Sequence, residues 1–192
     1  MCGIVGYVGP KDARDVVLEG LRRLEYRGYD SAGIAVVADG ELASAKKAGK
    51  LANLEKQLAD TPLPAATVAI GHTRWATHGG PTDRNAHPHL SADGSVAVIH
   101  NGIIENFAVL RAECAREGVE FRSETDTEVA AHLLARAYAE TGAGPDRLAE
   151  AMRAVARRLE GAFTLVATSA HEPDTLVAAR RSSPLVVGVG DG

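Results

Sequence analysis

The sequence predicts an α+β layered domain built on largely antiparallel sheets. Three observations carry that expectation. Eight short segments are rich in Val and Ile and are mostly bounded by turn residues, as strands are. Five others repeat apolar residues at three- and four-residue spacing, the signature of a helix with one buried face. The strands come in runs with helices between the runs, which disfavours a doubly wound nucleotide fold.

Taken in order, the first strand is Gly3–Val8, followed by a helix over Ala13–Glu25 whose buried face is Val17, Leu21 and Leu24. Strands over Gly33–Val37 and Leu42–Lys46 precede a helix through Leu51–Leu58. Thr67–Thr73 and Ser95–His100 are the next strands. Phe107, Leu110 and Cys114 mark a third helix, from about Ile103 to Glu117; Cys114 continues that stripe and reads as a small buried hydrophobe. Val129, Leu133 and Ala137 mark a fourth, opened by a Thr125/Glu128 capping box. Leu148, Met152, Val155 and Leu159 mark a fifth, opened by Pro145. Strands over Ala162–Thr168, Thr175–Arg180 and Leu185–Val189 complete the chain. The closing Gly188-Val189-Gly190-Asp191-Gly192 has no helix after it, so it is not expected to cradle a phosphate.

The bulk properties narrow the function classes. The 192 residues suit one domain with a real core, spanning 1–192. A net charge of −4 lacks the Lys and Arg excess that a nucleic acid or an anionic membrane calls for, so a small polar substrate is the better expectation. The N-terminal apolar stretch is short, interrupted by Gly6 and followed at once by charges, unlike a signal peptide. No apolar run approaches the roughly 20 residues of a membrane span. Two cysteines, Cys2 and Cys114, are too few for a disulfide scaffold, and a reduced cytoplasmic location is expected.

Chemistry concentrates in four places. Removal of Met1 would leave Cys2 with a free α-amino group, titrating near 7.7–8.0 beside a thiol near 8.5. One residue would then hold both nucleophile and general base. A frayed terminus is the plain alternative, although the strand starting at Gly3 would anchor it. His100-Asn101-Gly102 follows an apolar strand; Asn-Gly is a hairpin signal, but here a helix follows. The Asn101 amide and Gly102 N–H could then hold an oxyanion. Thr73–Pro81 contains the single Trp, Trp75, and Arg74 offers either a fork for a carboxylate or a surface arginine. Asp126 either answers a substrate ammonium or complements a helix dipole. Five of the seven histidines (72, 78, 87, 89 and 100) fall in one stretch, but their spacing matches no zinc motif, and no metal is expected.

Together, Cys2–Gly6, Tyr26–Gly33, Thr73–Gly79, His100–Gly102 and Ser123–Asp126 resemble the class II, or N-terminal-nucleophile, glutamine amidotransferases. Leu18–Gly33, Thr73–Gly79 and Asn85–His89 are closer to the glutaminase domain of the branch that aminates fructose 6-phosphate than to the phosphoribosyl-pyrophosphate branch. The resemblance runs essentially end to end. It implies an αββα sandwich, four layers with two mainly antiparallel sheets between helices, the N-terminal-nucleophile hydrolase fold. It implies Cys2 as nucleophile and base, and Asn101 and Gly102 as the oxyanion hole. Arg74 and Thr77, with His78 nearby, would bind the α-carboxylate of L-glutamine, and Asp126 its α-ammonium. Arg27 and Gly28 would shape the wall beside the nucleophile, while Trp75 gates ammonia on a loop, 74–80, that closes over glutamine. No cofactor is implied.

In that family the domain continues past residue 192 and sugar isomerase domains follow, so the present chain is expected to be C-terminally cut and able at most to release ammonia. The full-length protein would be a homodimer. Retention of Met1 would turn the Cys2 amine into an amide and remove the base. The competing readings are an amidotransferase with another ammonia acceptor, a glutamine-binding domain without turnover, and a zinc protein.

Overall fold

The structure, a computed structural model, describes residues 2–190. Met1, whose removal decides whether Cys2 carries a free amine, lies outside the described residues, as do Asp191 and Gly192 of the closing glycine-rich run. In chain order the elements are β1 (Gly3–Val8), α1 (Ala13–Leu24), β2 (Ser31–Ala38), β3 (Glu41–Ala48), α2 (Leu51–Asp60), β4 (Val68–Arg74), β5 (His89–Leu90), β6 (Val96–Gly102), α3 (Phe107–Arg116), α4 (Thr127–Glu140), α5 (Arg147–Arg158), β7 (Phe163–Ser169) and β8 (Glu172–Arg181).

Two four-stranded antiparallel sheets form, ordered β1-β4-β2-β3 and β5-β6-β7-β8. Helices α1 and α2 cover the first, burying Val17, Leu21, Leu51 and Leu54 against Ile34, Val36 and Ala69. On the second lie α3, α4 and α5, with Leu133, Leu134, Leu148 and Val155 packed on Val96, Val98 and Leu165. Between the sheets, Ala35 and Ile70 meet Ala97, Ile99 and Val166. This is the αββα sandwich. Strands with both faces covered read as continuous apolar runs, which is why β2 and β4 are buried along almost their whole length.

Three expectations are corrected. Leu185–Val189 forms no strand; it runs as irregular chain with Val186, Val187 and Val189 exposed. Helix α3 starts at Phe107 rather than near Ile103, because the Ile103 N–H donates to the Ala162 carbonyl and the Glu105 N–H to the Glu160 carbonyl. The Thr125/Glu128 capping box does not form. The N-cap of α4 is Asp126, and the Glu128 carboxylate instead accepts from the Arg122 and Ser123 N–H groups at 2.7 Å each and from the Ser123 hydroxyl at 2.6 Å. Burial alone would raise the Glu128 pKa, but these bonds and His132 outweigh it and hold it at about 2.

The topology brings three chain segments to one end of the sandwich. Gly3 pairs with Thr73, so the residue before β1 lies beside the last residue of β4. Ser31 at the start of β2 pairs with Arg74 from the other side. Across the inter-sheet space, His72 Nε2 donates to the His100 carbonyl at 2.8 Å, tying the end of β4 to the end of β6.

Candidate active site

At that end a narrow cleft is lined by Cys2, Arg74, Trp75, Thr77, His87, His100, Gly102, Thr125, Asp126 and Thr127. Four separate sequence motifs thus meet in one place. The Cys2 sulfur accepts a hydrogen bond from the Trp75 N–H at 3.3 Å. Burial pushes its thiol pKa up, only partly opposed by that bond and by the Arg74 charge. A thiol held protonated in this way needs a base to become a nucleophile.

Arg74 is 3% exposed and sits at the end of β4. Its Nη2 donates to the carbonyls of His78 and Gly79 at 2.5 and 3.0 Å, and its Nη1 to that of Gly80 at 3.3 Å. The guanidinium therefore holds the 75–80 loop by its backbone, leaving Nε and one Nη1 hydrogen for any further acceptor. Thr77 is exposed at the cleft. His78 does not line it; its ring packs edge-on against Phe107, centroids 5.0 Å apart. Gly28 has a φ of 72°, and a Cβ there would meet the Trp75 ring at 3.3 Å, so this glycine is the wall against which the indole lies. Arg27 closes the short helical turn Glu25–Arg27 and is not a cleft residue.

Asp126 is 3% exposed. Its Oδ2 accepts the Ile104 N–H at 2.9 Å, whereas Oδ1 has only the Thr127 hydroxyl at 3.5 Å and keeps capacity for another donor. Asn101 and Gly102 are the last residues of β6, paired with Thr164 and Phe163. They continue the strand and make no hairpin. Gly102 reaches the cleft and Asn101 does not line it.

The free space in the cleft is about 10 Å³, room for roughly one water. An amino acid does not fit that space unless the walls of the cleft move apart. A far larger cleft, about 510 Å³ and lined by Lys11, Asp39, Thr67 and Asp174 among others, includes neither of the two cysteines. The chemistry, not the size, identifies the site.

Behind the cleft is a buried polar layer that the sequence presented only as a histidine-rich stretch. His87 Nε2 and His100 Nδ1 both meet the Thr127 hydroxyl, at 2.8 and 2.9 Å, and His89 Nε2 meets the Thr125 hydroxyl at 3.0 Å. The His72 and His87 rings lie 4.2 Å apart, and those of His87 and His89 4.8 Å. Lys46 Nζ donates to the carbonyls of Arg84, Ala86 and Pro88, securing the segment that carries His87, and burial lowers its pKa to about 8. Among the described residues no group of three or more His, Cys, Asp or Glu converges to hold a metal ion.

Burial pushes the pKa of His72 down to about 3 and those of His87, His89 and His100 below the ordinary imidazole value. Below about pH 6.5 the unfolded chain therefore takes up protons that the folded one refuses, and stability is lost as pH falls toward 3. Denaturant unfolding between pH 6.5 and 5 is expected to lose stability at a slope approaching three protons' worth from His72, His87 and His89, roughly 4 kcal/mol per pH unit at the ceiling. A flat profile over that interval would contradict the burial of these rings.

The fold and the cleft define the N-terminal-nucleophile class of amidotransferases, with a cysteine beside the first strand. A family model described as a glutamine amidotransferase domain matches residues 72–191. The chain belongs to the glutamine amidotransferase domain family. It is 70% identical over its whole length to glutamine–fructose-6-phosphate aminotransferase [isomerizing] of Streptomyces coelicolor, and 63% identical to the protein of the same name from Mycobacterium tuberculosis. It spans 31% of each, so just under a third of the length of the curated relatives it matches. Among solved structures it is similar to an allosteric regulatory enzyme of purine biosynthesis, with a TM-score of 0.74 and 28% identity over 92% of this chain and 37% of that one. The glutamine phosphoribosylpyrophosphate amidotransferase of B. subtilis gives a TM-score of 0.69 and 28% identity over 87% of this chain and 35% of that one. Among the described residues no helix is long and apolar enough to cross a membrane.

Proposed function

We propose that this domain hydrolyses the side-chain amide of L-glutamine to glutamate and ammonia. One observation carries the reading: the Cys2 sulfur opens on the same cleft as Arg74, Thr77, Gly102 and Asp126, so a nucleophile, carboxylate donors, an oxyanion donor and an ammonium acceptor face one another. With Met1 removed, the Cys2 α-amine takes the thiol proton and the sulfur attacks the amide carbon. Gly102 receives the oxyanion, with Asn101 joining it once substrate widens the cleft, the ammonium form of the amine returns the proton to the departing nitrogen, and ammonia leaves. Water then cleaves the γ-glutamyl thioester. Arg74 and Thr77 take the α-carboxylate and Asp126 the α-ammonium, while Trp75, backed by Gly28, walls the nucleophile. No step needs a metal or an organic cofactor.

In the full-length protein we assign the ammonia to fructose 6-phosphate, yielding glucosamine 6-phosphate, with isomerase domains supplied by the remaining two thirds and two such chains forming a dimer. The names of the relatives and the length they extend beyond this chain support the acceptor and the isomerase domains. The free thiols fit a reducing cytoplasm.

The direct test is glutamate release from protein whose intact mass lacks Met1. Release above an enzyme-free blank is expected; none from the trimmed protein overturns the reading. Asp126→Asn keeps an acceptor for the Ile104 N–H but removes the charge opposite the ammonium. It is expected to raise KM for glutamine about 10–100-fold, the worth of a charge-assisted bond, with a much smaller change in kcat. A kcat loss at unchanged KM would move Asp126 out of the binding role.

A further inference from the structure

We propose that Asp30 is a positioning residue that holds the two peptide groups flanking Trp75 against the nucleophilic sulfur. The proposal rests on the reading of Cys2 as nucleophile. The peptide joining Arg74 to Trp75 receives the Asp30 N–H on its carbonyl at 2.7 Å, while its own N–H points at Cys2 Sγ, 3.3 Å away. The next peptide, joining Trp75 to Ala76, gives its N–H to Asp30 Oδ2, and its carbonyl lies 3.7 Å from the same sulfur. Both peptides are therefore gripped by Asp30 on one side and face the sulfur on the other.

The grip is itself anchored. Asp30 Oδ1 accepts the Ser31 hydroxyl at 3.1 Å and lies 3.7 Å from Arg74 Nη1, and the Asp30 carbonyl accepts the Gly49 N–H at 2.7 Å. Asp30 thus ties the start of β2 and the end of β3 to the point where β4 becomes the loop that lines the cleft. Glutamine entry has to widen the cleft, and the loop can give way at residues 77–80, beyond the segment that Asp30 holds. A fixed hinge at 74–76 allows that displacement while keeping the Trp75 N–H on the sulfur, where it favours the thiolate over the thiol.

Trp75 is the single tryptophan, so its fluorescence reports this hinge directly. Asp30→Ala and Asp30→Asn are both neutral, and only the second retains an oxygen for the Ala76 N–H; the difference between them reads the acceptor alone. In Asp30→Ala, acrylamide quenching of Trp75 is expected to rise toward that of free tryptophan. Its kcat/KM for glutamine is expected to fall about 10²-fold, as for an ångström-scale misplacement, with most of the loss in kcat. Asp30→Asn is expected to keep the quenching of the parent and to recover most of the turnover. Parent-like quenching and turnover in Asp30→Ala, or identical behaviour of the two variants, overturns the proposal. If the parent protein itself releases no glutamate, the glutaminase reading fails, and the quenching comparison still decides the role of Asp30.

Discussion

Replacing Cys2 with alanine is expected to lower glutamate release at least 10³-fold, to the level of the blank, because loss of a nucleophile removes the covalent path and not just one contact. The fold should be unaffected: Cys2 precedes β1, its side chain is only partly buried, and its contacts are with the Trp75 peptide. Unfolding midpoints of the two proteins should therefore coincide while turnover separates. A second comparison isolates the base. Protein in which Met1 is retained keeps the sulfur but presents an amide where the amine should be. The burial that raises the thiol pKa makes that base necessary at neutral pH, and general-base catalysis typically contributes 10²–10⁴-fold. Activity is expected to scale with the Met1-free fraction measured by intact mass. Equal activity of trimmed and untrimmed protein would assign the base elsewhere in the cleft, with His100 the first candidate, since it lines the cleft and its Nε2 is buried without a partner.

The parts of the fold that could be read from the sequence are those whose own residues decide them. Strands β2 and β4 are legible because a strand covered on both faces must be apolar throughout, and α5 because Leu148, Met152 and Val155 repeat on one face. Leu185–Val189 has the same composition as a strand but finds no partner, and composition alone cannot supply one. The two-residue β5 is too short to leave a pattern. Cys2, Arg74, Gly102 and Asp126 were legible as motifs, and the topology brings them together. Asp30 and Lys46 were not, because each acts on the backbone of a distant segment: the peptides at 74–76 for one and the carbonyls of 84, 86 and 88 for the other. A main-chain partner leaves no trace in the sequence of the segment that provides it. The histidines show the same limit. Their spacing excluded a helical zinc motif, but nothing in it announced that Thr125 and Thr127 would supply the hydroxyls that satisfy them.

Gly102→Ala is the second substitution expected to be severe, and for a steric reason. Gly102 has a φ of 132°, and a Cβ built on it would lie 2.1 Å from the Ala162 carbonyl oxygen and 2.8 Å from the Phe163 Cα. Both obstacles are backbone, fixed by the β6–β7 ladder and by the Ile103 N–H bond to the Ala162 carbonyl, so neither can swing aside as a side chain would. Overpacking of this kind costs about 1–3 kcal/mol or more, and an unfavourable φ adds about 1–3 kcal/mol. A combined loss of about 3 kcal/mol corresponds to a fall in unfolding midpoint of roughly 10 °C in a domain of this size. Relief can come only from separating β6 from β7, which shifts the Gly102 backbone where it lines the cleft. Removal of one oxyanion donor costs about 10²–10³ in kcat, so turnover should fall by at least that much even in the fraction that remains folded. Gly142→Ala is the matched control: a Cβ there meets nothing within 4 Å, and its effect should stay within about 0.5 kcal/mol. If Gly102→Ala kept both its midpoint and its kcat, the tight approach of β6 to residues 162–163 and the oxyanion role of this N–H would have to be abandoned together. A lowered midpoint with parent-like kcat would retain the packing and dismiss only the oxyanion donor, since the packing argument needs no substrate.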